Sequence, residues 1–246
     1  MIFTKKKSAA WGLRPDLPLE QYADIIPKGK VLDLGIGEGR NAFYLAKLGF
    51  TVEGIDVSKT AVSKCDRQAE KLKLKVKATM CDLREIHISK ERYILIICAW
   101  VLNFFKRSEI KAIITEIKNG VKKGGFVYVS AFSTSDPSYE IVRKNSKMIE
   151  KNTFLLANTK SYYHYFEPQE ITSYFKNFKM RRLLIVVCLT LTFVCAQTFR
   201  PGVQVNDDQG VCRPSTRVRY KQGSIYVMWM DLRGGQYNND QRKFNI

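Results

Sequence analysis

The sequence predicts an α/β domain built on a doubly wound, mostly parallel sheet of Rossmann-like type, followed by an atypical C-terminal tail. Three observations carry this expectation. Apolar runs of strand length alternate with helix-length amphipathic segments as far as Phe132. A G-x-G-x-G stretch, Gly35, Gly37 and Gly39, joins the first apolar run to the first long helical pattern. The apolar runs are nearly continuous rather than alternating, as expected for strands covered on both faces.

Each element has its own local reason. "KVLDLGI" (Lys30–Ile36) reads as a short buried strand, and "RNAFYLAKLG" (Arg40–Gly49) as a helix with Phe43, Leu45, Ala46 and Leu48 inward and Gly49 as its stop. "FTVEGID" (Phe50–Asp56) is the second strand; Ser58 is placed to cap a helix running to about Leu72. "KVKATMCD" is the third strand and "RYILIICA" (Arg92–Ala99) the fourth. Ser108 is expected to cap a helix to Val121, Gly124 and Gly125 to turn the chain, and "FVYVSAF" (Phe126–Phe132) to form the fifth strand.

In such a fold ligands bind at the carboxyl ends of the strands. Glycines there let a ligand approach the backbone N–H groups at a helix N-terminus. Alone, G-x-G-x-G suits a dinucleotide, a nucleoside or a tight turn. A dinucleotide fingerprint would put glycine at Arg40. The distinguishing feature is a set of acids: Asp33 inside the first strand, Asp56 closing the second, and Asp82 closing the third. Asp56, 21 residues after Gly35, is placed to accept from both ribose hydroxyls. Asp82, with the backbone at Leu83, is placed to accept from an adenine amino group. Three acids around one cleft suit a cationic ligand better than a pyrophosphate.

"VLDLGIGEGRNAFYLAKLGFTVEGIDVS", "CDLRE" and "VKKGGFVYVSAF" resemble the motifs of class I S-adenosylmethionine-dependent methyltransferases. "GEGRN" with "LGFTVEGIDVS", and the later "YYHYFEPQEITSYF", are similar to the tellurite-resistance type within that superfamily, over about residues 11–178. The resemblance implies S-adenosyl-L-methionine as cofactor. It places Asp33, Gly35, Gly37 and Gly39 on its methionine side, Asp56 at the ribose and Asp82, with Leu83, at the adenine, and it puts Arg40, Asn41, Val57 and Cys98 in the cofactor-binding set. There are two departures from the family pattern. Ile94 stands where relatives usually carry Asp, and the terminal antiparallel strand pair of such folds is missing before Met180.

The transfer chemistry asks little of the protein beyond alignment and exclusion of water. A soft anion such as a thiolate or a chalcogenide needs no general base, whereas an alcohol or amine acceptor usually does. Arg14, Tyr163 and His164 are the acceptor-side candidates, with Arg143 a further one; no catalytic base is nominated. The expected partner is a small-molecule methyl acceptor. The alternatives are an RNA or protein methyltransferase using the basic surface, and a non-catalytic cofactor-binding fusion protein.

The net charge of +18 raises the prospect of an anionic partner. Its lysines are spread over presumed helix faces and turns without a stripe of Arg and exposed aromatics, which argues against nucleic acid. The six cysteines contain no C-x-x-C pair and are accompanied by only His87 and His164, so neither a metal site nor a disulfide framework is expected. Cys65, Cys81 and Cys98 read as buried thiols in a reducing, cytoplasmic setting.

Near Met180 the composition changes. Residues 1–180 hold 24 Lys and 7 Arg, residues 181–246 hold 2 Lys and 8 Arg, and Glu falls from 12 to none. "MRRLLIVVCLTLTFVCAQ" (Met180–Gln197) stands at the change, with a basic start and an apolar run from Leu183 to Ala196. At the head of a chain it would read as a secretory signal. As a helix the run would be about 21 Å long, short of the ~30 Å hydrocarbon core, so a membrane span is not expected, and membrane contact through 183–196 stays open. The expected division is a cofactor-binding domain over 1–179 and a tail over 180–246. Two readings of the tail stand level: strands at Leu183–Val194 and Ser224–Met230 that complete the sheet, or a joined signal-like segment with an extension.

Overall fold

A computed structural model describes residues 14–176 apart from 158, 160 and 168, and, in the tail, the backbone of three short strands. Five parallel strands form the main sheet: β1 (Lys30–Leu34), β2 (Thr51–Asp56), β3 (Val76–Met80), β4 (Tyr93–Ala99) and β5 (Val121–Ser130), in the order β3-β2-β1-β4-β5. The helices α1 (Leu17–Tyr22), α2 (Arg40–Lys47), α3 (Lys59–Leu72) and α4 (Arg107–Gly120) connect or flank them. The order reverses beside β1, which places the switch point, and so the cleft, where the glycines lie. The doubly wound α/β expectation is thus met.

The two faces of the sheet are buried by different helices. Val31, Val52, Leu95, Ile97 and Phe126 pack against Leu19 of α1 and Ala23 just after it, Ala42 and Leu45 of α2 and Cys65 of α3. Leu32, Leu34, Ile96, Val127 and Val129 pack against Ile110, Ile113, Ile114 and Ile117 of α4. Side chains in a strand alternate between faces, so Asp33 shares the α1–α3 face with Val31, and Cys98 shares the α4 face with Ile96. Ile94, the departure from the family pattern, is half-buried against the α1–α3 core, where its side chain packs on Gly29.

Ser58 caps α3 as expected, its Oγ accepting from the Ala61 N–H at 3.3 Å. Two boundaries differ from expectation. The N-cap of α4 is Lys106, and Glu109 satisfies its N–H at 2.8 Å. Ser108 lies inside the first turn, so the carboxylate three residues on, not the hydroxyl, closes the helix end. β5 begins at Val121 rather than Phe126, because the stretch holding Gly124 (φ 77°) and Gly125 forms an irregularity in the β4–β5 ladder instead of a turn before it.

After β5 comes α5 (Ser138–Asn145), then an antiparallel sheet of β6 (Lys147–Glu150), β7 (Thr153–Leu155) and β8 (Tyr162–His164), then α6 (Glu170–Phe175). This sheet meets the main one through backbone bonds just beyond β5, Phe166 N to Phe132 O at 2.8 Å and Thr134 N to Phe166 O at 3.0 Å. Ile171 and Phe175 of α6 join the α4 face. In the tail, β9 (Tyr220–Lys221), β10 (Ser224–Tyr226) and β11 (Lys243–Phe244) pair antiparallel in a sheet of their own. Leu183–Val194, the other half of the expected terminal pair, lies outside the described residues; among the described residues Ser224–Tyr226 pairs with β9 and β11 and not with the main sheet. No helix of the described residues is long and apolar enough to cross a membrane. The 183–196 run is outside them.

Candidate functional site

The backbone leaves β1 through Gly35, whose N–H and that of Ile36 both donate to the Ile55 carbonyl, at 2.8 and 3.0 Å. Gly35 and Gly39 have φ of 75° and 89°, and neither has room for a side chain. A Cβ on Gly35 would meet Val101 at 2.9 Å; one on Gly39 would meet Phe43 and Cys65 at 2.7 and 2.8 Å. Gly37 differs. A Cβ there would have nothing nearer than the Gly35 carbonyl at 4.0 Å, so the middle of the loop faces open space. A ligand can therefore approach the backbone at Gly37, while its neighbours fix the loop.

Asp56 ends β2 beside that opening. Its Oδ2 accepts from the Gly37 N–H at 2.9 Å and its Oδ1 from the Ser58 N–H at 2.8 Å. Each oxygen thus keeps a lone pair for a further donor. Val57 follows and is 70% exposed. Asp33 is buried, and burial followed by the charge of Asp16 pushes its carboxyl up to about 8, with Arg40 opposing and Asp56 reinforcing the rise. Asp82 accepts from both the backbone and the guanidinium of Arg84, which hold its carboxyl below the usual range. Leu83 behind it is buried.

Arg40 and Asn41 serve a role that the sequence did not suggest. Both reach Asp16, the residue before α1: the Arg40 guanidinium pairs with Asp16 Oδ1, and Asn41 Nδ2 donates to Oδ2 at 3.3 Å. Asn41 Oδ1 accepts from the Asp16 N–H at 2.9 Å, and the Tyr128 hydroxyl donates to Asp16 at 3.2 Å. The pair thus fastens the N-terminal segment over the glycine loop. Asp16 was missed by sequence reasoning, although "PDLP", an acid before a proline-containing helix start, is a recognisable cap signal.

The remaining candidates separate. Cys98 is fully buried on the α4 face, where desolvation pushes its thiol up, so its side chain is packed in the core and only its backbone is near the strand end. Cys81, expected to be buried, is half-exposed. Arg14 is exposed and meets Arg40 through its carbonyl, at 3.5 Å. Arg143 pairs with Glu140 on exposed α5. His164 is completely buried, with Nδ1 2.8 Å from Thr153 Oγ1 and Nε2 3.4 Å from Glu170 Oε1, too poorly aligned to count as a hydrogen bond. It is a structural residue tying β7 and β8 to α6, which corrects its placement among acceptor-side candidates. Tyr163, one position earlier, lies on the opposite face of β8 and meets Phe104 and Phe132.

The sequence model of the family described as Tellurite resistance protein TehB matches residues 17–178, most of the chain. The chain belongs to the TehB family. This is the tellurite-resistance type of S-adenosylmethionine-dependent methyltransferase that its motifs resemble. Its TehB-family relatives include a probable S-adenosyl-L-methionine-dependent methyltransferase TehB of Haemophilus influenzae, 35% identical over 46% of this chain and 40% of the relative. The chain thus matches less than half the length of that protein. The solved structure of TehB from Haemophilus influenzae is similar with a TM-score of 0.50 at 25% identity, over 65% of this chain and 49% of that one. A S-adenosylmethionine-dependent methyltransferase of Methanosarcina mazei shares the fold with a TM-score of 0.57 at 19% identity, over 67% and 84% of the two chains. The TehB-family match ends at 178, next to the change in composition at Met180.

Proposed function

We propose that this chain transfers a methyl group from S-adenosyl-L-methionine to a small-molecule acceptor, with a soft anion such as a thiolate favoured. The observation that carries the reading is Asp56, held at the end of β2 by the Gly37 and Ser58 amides beside the open middle of the glycine loop. The donor set fits the cofactor. Asp56, with acceptor capacity left on each carboxylate oxygen, is matched to a ligand that carries adjacent hydroxyls and positive charge.

In this reading Asp33, Gly35, Gly37 and Gly39 hold the methionine side, with Arg40 and Asn41 supporting it through Asp16. Asp56 and Val57 hold the ribose, and Asp82 and Leu83 the adenine. The bound cofactor supplies an activated methyl group. The chain's own residues bind, orient and shield. No imidazole is turned towards the cleft at Tyr163, since His164 faces inward, and this favours an acceptor that needs no base. We propose also that 180–246 lies outside the methyl-transfer unit, supported by the family match ending at 178 and by the separate sheet of β9–β11.

Calorimetry with S-adenosylhomocysteine and with NAD tests the cofactor, and formation of S-adenosylhomocysteine in the presence of hydrosulfide tests turnover. Binding of the first ligand only, with turnover, is expected. Tight NAD binding without a response to S-adenosylhomocysteine would sink the reading. Binding without turnover by any acceptor leaves the non-catalytic alternative.

A further inference from the structure

Beyond the glycine loop, the carboxyl ends of β4 and β5 carry a run of aromatic rings that the cofactor does not explain. Trp100, the residue after β4, has φ of 60°, a left-handed conformation that bulky side chains rarely adopt. Its N–H donates to the Ser130 carbonyl at the end of β5, at 2.8 Å. The next residue, Val101, is the one that packs on Gly35. The turn is therefore pinned between β5 and the glycine loop, and these contacts hold Trp100 in its strained conformation at the carboxyl end of β4.

From this indole the rings are continuous. Trp100 lies 5.6 Å from Phe132, Phe132 lies 5.9 Å from Tyr163, and Tyr163 lies 5.5 Å from Phe104, edge-on. Behind them Tyr165 meets both Phe132 and Tyr163 and is itself buried, so the wall is backed by packed side chains. Phe104 remains 37% exposed, and Trp100, Phe132 and Tyr163 are partly exposed. Alternation along β8 sends the polar chemistry the other way: Tyr162, under Lys106, and His164, towards Thr153 and Glu170, share the face opposite Tyr163.

Such a wall offers dispersion and ring edges, not the ion pairs or forked donors that an oxyanion needs to replace its hydration. We propose that Trp100, Phe104, Phe132 and Tyr163 form the acceptor subsite, and that it takes a thiol carried on an apolar, ring-sized body. The inference rests on the methyl-transfer reading above. The thiol loses its proton to solvent. Its sulfur then forms a bond to the methyl carbon while the bond from that carbon to the sulfonium sulfur breaks, and the electron pair stays on the departing sulfur, which becomes a neutral thioether. No base from the wall is required.

The test compares thiophenol with hydrosulfide as acceptors for the full chain, and separately measures binding of the product thioanisole by calorimetry with S-adenosylhomocysteine present. Expected are a kcat/KM for thiophenol about 100-fold above that for hydrosulfide, and saturable thioanisole binding. Phe104→Ala, chosen because Phe104 is at the surface, should lower the thiophenol-to-hydrosulfide ratio about tenfold and weaken thioanisole binding by a similar factor. A melting curve and the S-adenosylhomocysteine affinity verify its fold, and Trp100→Phe, which keeps a ring, should lie between it and the parent. Equal use of the two thiols, or thioanisole binding indifferent to Phe104→Ala, overturns the assignment. If neither thiol is methylated, the methyl-transfer reading fails by that assay, and thioanisole binding still judges the wall: binding lost in Phe104→Ala supports it, and no binding overturns it.

Discussion

At Asp56 a single carboxylate joins the backbone of the glycine loop to the start of α3 and keeps acceptor capacity towards the cleft. Asp56→Ala is expected to weaken S-adenosylhomocysteine binding by about 1–3 kcal/mol, as for loss of hydrogen bonds to a charged acceptor, with the melting transition still cooperative. Calorimetry beside a thermal melt checks both, and unchanged affinity in a folded variant would remove Asp56 from the site. Asp33 makes a different prediction. Its carboxyl sits at about 8 in the folded chain, through burial and then Asp16, against an ordinary value near 3.8. The folded chain therefore holds a proton that the unfolded chain releases, and stability falls as pH rises from about 4 to about 8. Asp33→Asn removes that slope. Its stability relative to the parent should increase across this interval, by an amount on the order of a few kcal/mol, and pH-dependent denaturant melts would show it. A constant difference between the two proteins would mean that Asp33 stays ionised in the fold.

Among the elements, β1, β2 and β4 are pinned together by Glu53, which accepts from Tyr93 at 2.6 Å, Arg92 at 2.8 Å and Lys30 at 3.1 Å. Burial alone would raise this carboxyl; the three donors outweigh it and hold it at about 2. A depressed acid stabilises the fold above its unfolded value near 4.5, and that contribution is lost as pH falls towards 2. Glu53→Gln should cost about 1–2 kcal/mol at neutral pH, reduced from the buried case because the cluster meets solvent, and the two proteins should converge in acid. Urea melts at neutral and acid pH measure it; parity at neutral pH would show that the cluster is only a surface contact. The strands and the long helices were legible from apolar period and caps. The α4 cap and the start of β5 were not, since Lys106 becomes a cap only through Glu109, and Val121 a strand residue only through pairing with Tyr93.

For the whole molecule, the family match ends at 178 and the parallel sheet among the described residues ends at β5. If the methyl-transfer unit is complete without the tail, a chain stopped after Lys179 should bind S-adenosylhomocysteine within about threefold of the full chain and melt as cooperatively. Calorimetry and a thermal melt of both chains decide it. Loss of the transition, or affinity lower by an order of magnitude, would show that residues beyond 179 belong to the fold.

The sequence by itself determined the α/β class, the glycine loop and the acids at the strand ends, because strand length, helical period and G-x-G-x-G are local properties read along the chain. It also pointed to the family through those same residues. What only the tertiary structure decided depends on groups far apart in sequence. Asp16 meets Arg40, Asn41 and Tyr128 because α1 folds back over the loop. His164 turns inward and Tyr163 outward because β8 lies beside β7 in one register and not the other, and a shift of one residue would exchange them. The aromatic wall has no sequence motif at all: Trp100, Phe104, Phe132 and Tyr163 come from three separate segments, and parallel pairing of β4 with β5 and the return of β8 bring their rings within contact.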